Sequence, residues 1–237
     1  MIEKLSIIIP AYNEEKYLRK IISRVLESNI GKIKKEIIIV NDGSKDKTGE
    51  IADKLAKKKI KGVKIISVHK RNGGKGSAIR KGLSLISGDM VIIQDADLEY
   101  DPKEYSLLMK PIVEGEADVV YGSRFMGDRP HRVLFFWHMV ANNMLTLISN
   151  MFTNINLTDM ETGYKMFTSE VAKKIKIKED RFGMEPEFTA KVAKMGCRIF
   201  EVGISYHGRS YKEGKKIGWK DSFEALYAIV KYNLFDF

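Results

Sequence analysis

Four carboxylates alternate along VIIQDADLEYDP (residues 91–102), where Asp95, Asp97, Glu99 and Asp101 follow an apolar run. Alternate side chains of an extended chain point the same way, so Asp95, Asp97 and Glu99 would share one face. Carboxylate oxygens suit Mg²⁺ and Mn²⁺, which commonly bridge proteins to phosphorylated ligands. The alternative is a solvated acidic turn, which we favour for Asp101 because Asp-Pro is typical of a helix start. For Asp95 and Asp97 the residues alone leave both interpretations open.

Two further loops carry residue types suited to a nucleotide. NDGS (41–44) is ordinary turn chemistry, but an acidic residue after a strand, here Asp42, also suits a ribose hydroxyl or the N–H edge of a base. RNGGKG (71–76) is either a flexible basic turn or a glycine-rich loop that brings Lys75 to a phosphate. The chain has neither GxxxxGK[ST] nor GxGxxG after its first strand, which argues against ATPases and dehydrogenases.

Composition bounds the class of protein. The chain has 237 residues, 44% of them hydrophobic and 30% charged, which suits one α/β domain with a substantial core. Its net charge of +10 predicts an anionic partner: nucleic acid, a phosphorylated molecule or an anionic lipid surface. The single cysteine, Cys197, indicates a reducing compartment, and the first residues lack the apolar run of a signal peptide. Both features predict a cytoplasmic protein.

Apolar, strand-like runs alternate with segments of helical period. The runs are LSIII, EIIIV, VKIISV, MVIIQ and ADVVYG, which begin at residues 5, 36, 63, 90 and 117. Uniformly apolar strands separated by helices predict an α/β fold with a mainly parallel, Rossmann-like sheet that helices cover on both faces. The loops that follow parallel strands meet at one edge of the sheet, so the acidic and glycine-rich loops should converge there.

Five segments, taken in their order along the chain, resemble glycosyltransferase family 2, the inverting nucleotide-sugar transferases with the GT-A fold. They are PAYNEE, VNDGSKDKT, NGGKGSAIRKG, QDADLEYDP and YGSRF. Within that family the chain is most similar to the enzymes that make dolichyl-phosphate and polyprenyl-phosphate sugars. The resemblance implies a GT-A domain over residues 1–218, with a nucleotide-binding half at about 1–124 and an acceptor-binding half at about 125–218. Residues 219–237 would be a C-terminal amphipathic helical extension.

The resemblance implies a site for a UDP- or GDP-sugar together with Mg²⁺ or Mn²⁺. Asp97 and Glu99, with Asp95, would ligate the ion beside the donor diphosphate, and Asp97 is thereby a predicted catalytic residue. The family often has Gln where Glu99 stands, and either side chain supplies an oxygen. The other residues implied to bind the donor are Pro10, Ala11, Tyr12, Glu14, Asp42, Lys75, Gly76 and Lys215.

The resemblance also implies that a polyprenyl or dolichyl phosphate accepts the sugar. Its phosphate would meet Arg124, Arg129 and Arg132, and Arg209 would close over the acceptor or donor phosphates. Glu185 lies where related transferases place an acid near the acceptor. A sugar hydroxyl needs such a base, whereas a phosphate is already largely anionic at neutral pH. Arg124, Arg209 and Glu185 are therefore also predicted catalytic residues.

Residues 133–152 and 219–237 mix apolar and polar residues as interfacial helices do, so peripheral contact with the cytoplasmic face of a membrane is one expectation. A lid over the core or an oligomer interface is the other. Two further functions stay open: a family 2 transferase acting on a saccharide or lipid hydroxyl, and a noncatalytic module binding nucleotide or nucleic acid. We expect no nucleic acid partner, because no arrangement of stacking aromatics accompanies the basic residues.

Overall fold

A computed structural model describes residues 2–127, 129–133, 135–209 and 219–235, with the side chains of 219–221 excepted. Strands and helices alternate over most of these ranges. The strands are β1 (Lys4–Ala11), β2 (Lys34–Asn41), β3 (Val63–His69), β4 (Met90–Ile93), β5 (Val119–Ser123), β6 (Lys165–Thr168) and β7 (Ile199–Gly203). The helices are α1 (Leu18–Glu27), α2 (Thr48–Ala56), α3 (Lys75–Leu83), α4 (Tyr105–Val113), α5 (Phe136–Thr153), α6 (Ser169–Lys174), α7 (Met184–Lys194) and α8 (Trp219–Leu234), with a 3₁₀ turn at Pro102–Glu104.

The strands of the described chain form one sheet in the order β3-β2-β1-β4-β6-β5-β7. β1 pairs in parallel with β2 and β4, and β2 pairs in parallel with β3, as the apolar runs predict. β6 was not predicted as a strand, because it is only four residues long and begins with a charged residue, Lys165. It runs antiparallel between β4 and β5, so β4 and β5 point the same way.

Helices cover both faces of the sheet, as predicted. Side chains of β1 alternate between two apolar clusters because successive residues of a strand face opposite sides. Ile7 packs in a cluster with Leu18 of α1 and with residues of α2 and α4. Ile8 packs in the other cluster with Ile79 of α3 and with residues of α5, α7 and α8.

The described part of the C-terminal extension packs on the domain. Ala225, Ala228, Ile229 and Tyr232 of α8 are buried, and Ala228 and Tyr232 cluster with Ala190 of α7. This side of α8 therefore packs on the core, one of the two alternatives for residues 219–237. Of the helices in the described ranges, none combines the length and apolar character needed to cross a bilayer.

The carboxyl ends of the parallel strands meet at one edge. β1 ends in Pro10 and Ala11, and β2 runs into Asp42. β4 leads through one further residue to Asp95, and β5 leads directly into Arg124. The convergence of loops that the strand pattern predicts is therefore present, and the sheet positions the candidate site.

Candidate active site

The turn after β2 and the glycine-rich loop after β3 are held together by one carboxylate. Asp42 is buried, and its oxygens accept the N–H groups of Gly73 and Gly74 at 3.0 and 2.7 Å. Gly43 has a φ of 70°, and a Cβ at that position would come 2.6 Å from the backbone nitrogen of Asn72. Glycine is therefore required for this close approach. The two predicted nucleotide loops form one continuous surface.

The loop after β1 is bonded to the same turn. Asn13 donates its N–H to Ser44 Oγ at 3.0 Å, and its side-chain oxygen accepts the N–H of Lys45 at 2.8 Å. Next to Asn13, Tyr12 keeps 37% of its surface exposed, whereas Glu14 is buried. Tyr12 is thus a large aromatic side chain of this loop that is accessible to a ligand.

A first charge cluster joins three predicted site residues. Lys75, the first residue of α3, lies with its Nζ 3.0 Å from Asp95 Oδ1 and 3.1 Å from Glu185 Oε1. Burial lowers the pKa of Lys75, but the charges of Asp95 and Glu185 outweigh it and raise that pKa well above its ordinary value. A Cβ on Gly163 would come 2.5 Å from Asp95, so glycine lets the backbone cover the pair. Lys75 therefore stays a cation.

Glu185 has one oxygen without a partner. Its Oε2 is buried and accepts no hydrogen bond from any residue in the described ranges. Buried carboxylate oxygens are normally paired, so an unpaired one marks a place where a ligand or a proton would be stabilised. This oxygen belongs to the first turn of α7, beside the Lys75 cluster.

A second charge cluster contains the alternating acids. Arg209 Nη2 donates to Asp97 Oδ2 at 2.6 Å, and Arg209 Nε donates to Glu99 Oε1 at 3.0 Å. Tyr206 donates its hydroxyl to the other oxygen of Glu99 at 2.8 Å. The guanidinium thus bridges the two carboxylates that the alternation places on one side.

The chemistry of this cluster fits a divalent cation. Burial and the charges of Asp95 and Glu99 raise the pKa of Asp97 to about 7, although Arg209 acts in the opposite direction. Two carboxylates share one arginine here, and a bound cation would stabilise their charged forms. No three His, Cys, Asp or Glu side chains in the described ranges form a complete cage, but Mg²⁺ usually needs only one or two carboxylates together with substrate phosphates. Asp97 and Glu99, which one guanidinium bridges, could form such a pair, and ligation of an ion by Asp97, Glu99 and Asp95 stays a prediction.

Arg124 lies in a buried ion pair. Its Nε and Nη2 donate to the two oxygens of Asp159 at 2.6 and 2.7 Å, and Nη2 also donates to Asn142 at 3.0 Å. Burial lowers the pKa of Arg124, but Asp159 outweighs it and holds that pKa well above its ordinary value. The guanidinium also lies 5.3 Å from the ring centre of Tyr206. Arg124 thereby stands next to the residue that binds Glu99.

The remaining predicted arginines lie nearby. Arg129 and Arg132 are both exposed, and Arg132 donates from Nη1 to the carbonyl of Gly208 at 3.0 Å. The segment after β5 thus runs beside the segment that leads to Arg209. Lys215 lies outside the described residues. Gly76, predicted at the nucleotide, permits α3 to pack closely, because a Cβ there would overlap the carbonyl oxygen of Glu179.

Sequence reasoning missed Lys165 and Tyr206. Lys165 is fully buried, and its Nζ donates to the carbonyls of Met160 and Thr162, which fixes the loop before β6. Burial lowers its pKa to about 8, against the charge of Glu185. A lysine within the apolar run GYKMF is the signal that could have identified it. For Tyr206 we find no such signal.

The family model described as Glycosyl transferase family 2 matches residues 6–176. The chain therefore belongs to glycosyltransferase family 2 and is a glycosyltransferase. The matched residues contain the turn at Asp42, the loop at Lys75 and the alternating acids after β4, so the family assignment covers most of the candidate site.

Two curated relatives are about 30% identical to this chain over the aligned residues. A dolichyl-phosphate beta-glucosyltransferase of Trichomonas vaginalis is 31% identical over 219 residues, which are 86% of this chain and 65% of that protein. A dolichol-phosphate mannosyltransferase of Pyrococcus furiosus is 30% identical over 218 residues, which are 90% of this chain and 60% of that protein. The chain thus spans less than two thirds of the length of each.

A solved structure shares the fold. The crystal structure of glucosyl-3-phosphoglycerate synthase from Mycobacterium tuberculosis, in complex with Mn²⁺, UDP and glucosyl-3-phosphoglycerate, superposes with a TM-score of 0.74 at 18% identity. The match covers 98% of this chain and 80% of that one. The predicted GT-A fold is confirmed.

Proposed function

We propose that the protein transfers a sugar from a UDP- or GDP-sugar to a polyprenyl or dolichyl phosphate, with Mg²⁺ or Mn²⁺ and with inversion. The observation that carries this proposal is the pair of charge clusters at one sheet edge, Lys75 with Asp95 and Glu185, and Arg209 with Asp97 and Glu99. The names of two relatives support the acceptor class. The UDP and Mn²⁺ bound to the structural neighbour support the donor and the ion.

Asp97 and Glu99 hold the ion in this proposal, with Asp95 beside them. When bound, a divalent cation supplies positive charge to the departing diphosphate. Arg209 now occupies both carboxylates, so it must release them, and its planar guanidinium is then available to bind a phosphate in bidentate fashion. Lys75 adds a second positive charge at the N-terminus of α3, where N–H groups also favour an anion.

The acceptor side needs little proton chemistry. A phosphate monoester is already largely anionic at neutral pH, so its oxygen attacks the anomeric carbon directly. The bond from that carbon to the donor phosphate breaks, and the nucleoside diphosphate leaves with the electron pair. Arg124, Arg129 and Arg132 orient the acceptor phosphate, which makes positioning the main contribution. Single displacement converts an α-linked donor into a β-linked product.

In this proposal, the hydrocarbon chain of the acceptor and the surrounding lipid contact α5. This helix contains no Asp, Glu, Lys or Arg, and it leaves one apolar face exposed. That face consists of Phe136, Val140, Met144, Leu147 and Met151, and Trp137 beside it is 76% exposed. The exposed Arg129 and Arg132 precede the helix. An apolar face next to basic residues is typical of helices that lie in the interface of an anionic membrane, here at its cytoplasmic side.

A second acceptor class is favoured by one observation. The buried, unpaired Oε2 of Glu185 is suited to take a proton from an attacking hydroxyl, as a saccharide or lipid-alcohol acceptor would need. Glu185→Gln separates the two classes. The turnover rate should fall by about a hundredfold or more if Glu185 is the general base, and by less than about tenfold if the nucleophile is a phosphate.

The test is release of nucleoside diphosphate. Purified protein is incubated with Mn²⁺ or Mg²⁺ and a panel of UDP- and GDP-sugars, with and without a short polyprenyl phosphate. Release that requires the lipid phosphate supports the proposal and identifies the donor. Turnover with a saccharide acceptor alone would overturn the lipid acceptor, and the Glu185→Gln rate then decides whether the carboxylate is the base.

A further inference from the structure

Three side chains form a hydrogen-bonded relay behind the turn that carries Asp42. Asp53 on α2 lies with its Oδ1 2.8 Å from His69 Nε2, and His69 Nδ1 lies 2.9 Å from Asn41 Nδ2. His69 and Asn41 are directly opposite in the β2–β3 register. Asn41 then accepts the N–H of Ser44 on its side-chain oxygen at 3.1 Å. We call Asp53, His69 and Asn41 the relay.

The backbone of Ser44 fixes every proton in the relay. A backbone N–H can only donate, so the Asn41 oxygen must face Ser44 and the Asn41 NH₂ must face His69. The NH₂ group can only donate, so His69 Nδ1 must accept. The remaining ring proton therefore sits on Nε2, where it is donated to Asp53. The neutral Nε2–H tautomer is the form of His69 that satisfies both partners.

The relay extends to two predicted nucleotide loops. Ser44 accepts the N–H of Asn13 on its hydroxyl, and Asn13 lies between Tyr12 and Glu14 in the loop after β1. The Asn41 side chain thus anchors the turn to which the loop after β1 is bonded. The first turn of α2 closes over the relay: a Cβ on Gly49 would come 2.8 Å from Asn41 Nδ2 and 3.2 Å from His69 Cε1.

We propose that His69 is a positioning residue for the nucleotide. Its Nδ1 accepts a hydrogen bond from the Asn41 side chain and so fixes the amide that holds turn 41–44. Through that turn, His69 holds Asp42 and the loop after β1 in the arrangement that binds the ligand. The proposal rests on the nucleotide role given to these loops above. His69 itself touches no substrate in this proposal. Its effect passes through Asn41, so the affinity for nucleotide should depend on the acceptor at Nδ1 and much less on the donor at Nε2.

Two substitutions separate those two nitrogens. The side-chain oxygen of Asn can occupy the place of Nδ1, whereas the amide of Gln reaches the place of Nε2. His69→Asn should keep the Kd within about twofold of the wild-type value, whereas His69→Gln and His69→Ala should raise it about fivefold, as expected for one lost hydrogen bond. Titration calorimetry with UDP and with GDP, each with Mn²⁺, measures these values. In turnover, KM for the donor should rise while kcat stays unchanged.

Two further variants test the path through Asn41. In Gly49→Ala the added methyl group would displace the Asn41 side chain, so the affinity for nucleotide should fall about fivefold. Alanine has a higher helix propensity than glycine, so the melting temperature should not fall. Ser67→Ala is the matched control. Ser67 lies on the same strand, donates to the same Asp53 oxygen and lies 3.4 Å from His69 Nε2, so its contacts are on the Nε2 side of the ring, away from the Nδ1 contact with Asn41. It should leave the affinity for nucleotide unchanged.

Amide hydrogen exchange gives a readout that needs no nucleotide. In the ligand-free protein the Ser44 amide should exchange faster in His69→Ala and His69→Gln than in wild type, and at the wild-type rate in His69→Asn. Unchanged exchange in His69→Ala would overturn the proposal, as would rescue of the affinity by Gln in place of Asn. If wild type binds neither nucleotide but exchange follows the expected order, the relay stands and the proposed function fails.

Discussion

Polar groups have different partners and different burial in the two halves of the sheet. In the first half, residues 2–124, the loops at the site are held by short hydrogen bonds between neighbours, as in the contact of Asp42 with Gly73 and Gly74. In the second half, from residue 125, Glu187 is buried against Lys191 and Asp159 is buried against Arg124 of the first half, and α5 leaves an apolar face exposed. A surface made of preorganised N–H and carboxylate groups suits a small polar ligand. Buried charge beside an exposed apolar helix suits a ligand with a charged head group and a hydrocarbon chain.

The clearest difference between the two halves is the set of buried charged residues. Asp159 is fully buried against Arg124, Glu185 keeps an unpaired oxygen, and Lys165 is enclosed and donates to two carbonyls. Burying ion pairs gives little net stability, because desolvation offsets the attraction. We infer that these groups are retained for binding or chemistry. The following substitutions test the comparison between the two halves, from the largest expected effect to the smallest.

Asp97→Ala should have the largest effect. Without this carboxylate the ion would lose one of its two proposed ligands, so sugar transfer should fall by about a hundredfold to a thousandfold, the range for removing a main source of charge stabilisation at a reacting group. Binding of Mn²⁺ in the presence of nucleotide, followed by electron paramagnetic resonance, should weaken in parallel. The fold should persist, because Asp97 is partly exposed and pairs with a single arginine.

Asp101→Ala is the control from the same segment. The Asp101 side chain accepts the N–H of Lys103 and caps the 3₁₀ turn, the structural role expected for it from the sequence. Its removal should lower the free energy of unfolding by about 1 kcal/mol and leave Mn²⁺ affinity unchanged. Equal loss of metal binding in both variants would refute the assignment of the ion to Asp97.

The fold and the edge that carries the site could be predicted because they depend on local pattern. Five of the strands are apolar on both faces, and parallel pairing places their following loops together. β6 could not be predicted in this way. Its pairing with β4 and β5 is set by tertiary contacts, and its first residue, Lys165, is a charged residue whose burial depends on carbonyls several residues away.

Contacts between distant loops could not be predicted either. The sequence indicates that Asp97 and Glu99 share a face, but nothing in it indicates that Arg209, more than a hundred residues away, bridges them. Likewise Asp42 could be identified as a ligand candidate, but its bonds to Gly73 and Gly74 depend on how two loops meet. Residue type predicts chemistry, whereas partners follow from the three-dimensional arrangement.

A change on α5 tests the other side of the comparison. Phe136 and Leu147 are 61% and 60% exposed on one helical face, so the double substitution Phe136→Ser and Leu147→Ser should not disturb the core. If this face enters a lipid surface, affinity for vesicles containing anionic lipid should fall at least about tenfold, because two large apolar side chains no longer leave water. Cosedimentation with vesicles measures this, and donor binding should not change.

Val113→Ser is the matched control for α5. Val113 is an apolar residue of α4 with 52% exposure, on the opposite face of the sheet. Vesicle binding should be the same as in wild type. If the α5 variant kept its vesicle affinity but dissociated an oligomer in analytical ultracentrifugation, the apolar face would be a subunit interface and the membrane proposal would fail.

Glu36→Gln tests a buried acid of the first half and should have the smallest effect. Burial raises the pKa of Glu36, but hydrogen bonds from Ser87 and Ser6 outweigh it, so the folded pKa lies below the ordinary value of 4.5. A lowered folded pKa stabilises the protein above pH 4.5, and this contribution is lost as the pH falls through the folded pKa. Substitution should therefore lower the free energy of unfolding by about 1 kcal/mol at pH 7 and by less as the pH falls below 4.5. Urea unfolding at pH 7 and at a pH below 4.5 measures the difference, with Glu114→Gln, at an exposed residue just after α4, as the control that should change stability at neither pH. A constant difference at both pH values would mean that Glu36 acts through packing and not through its charge.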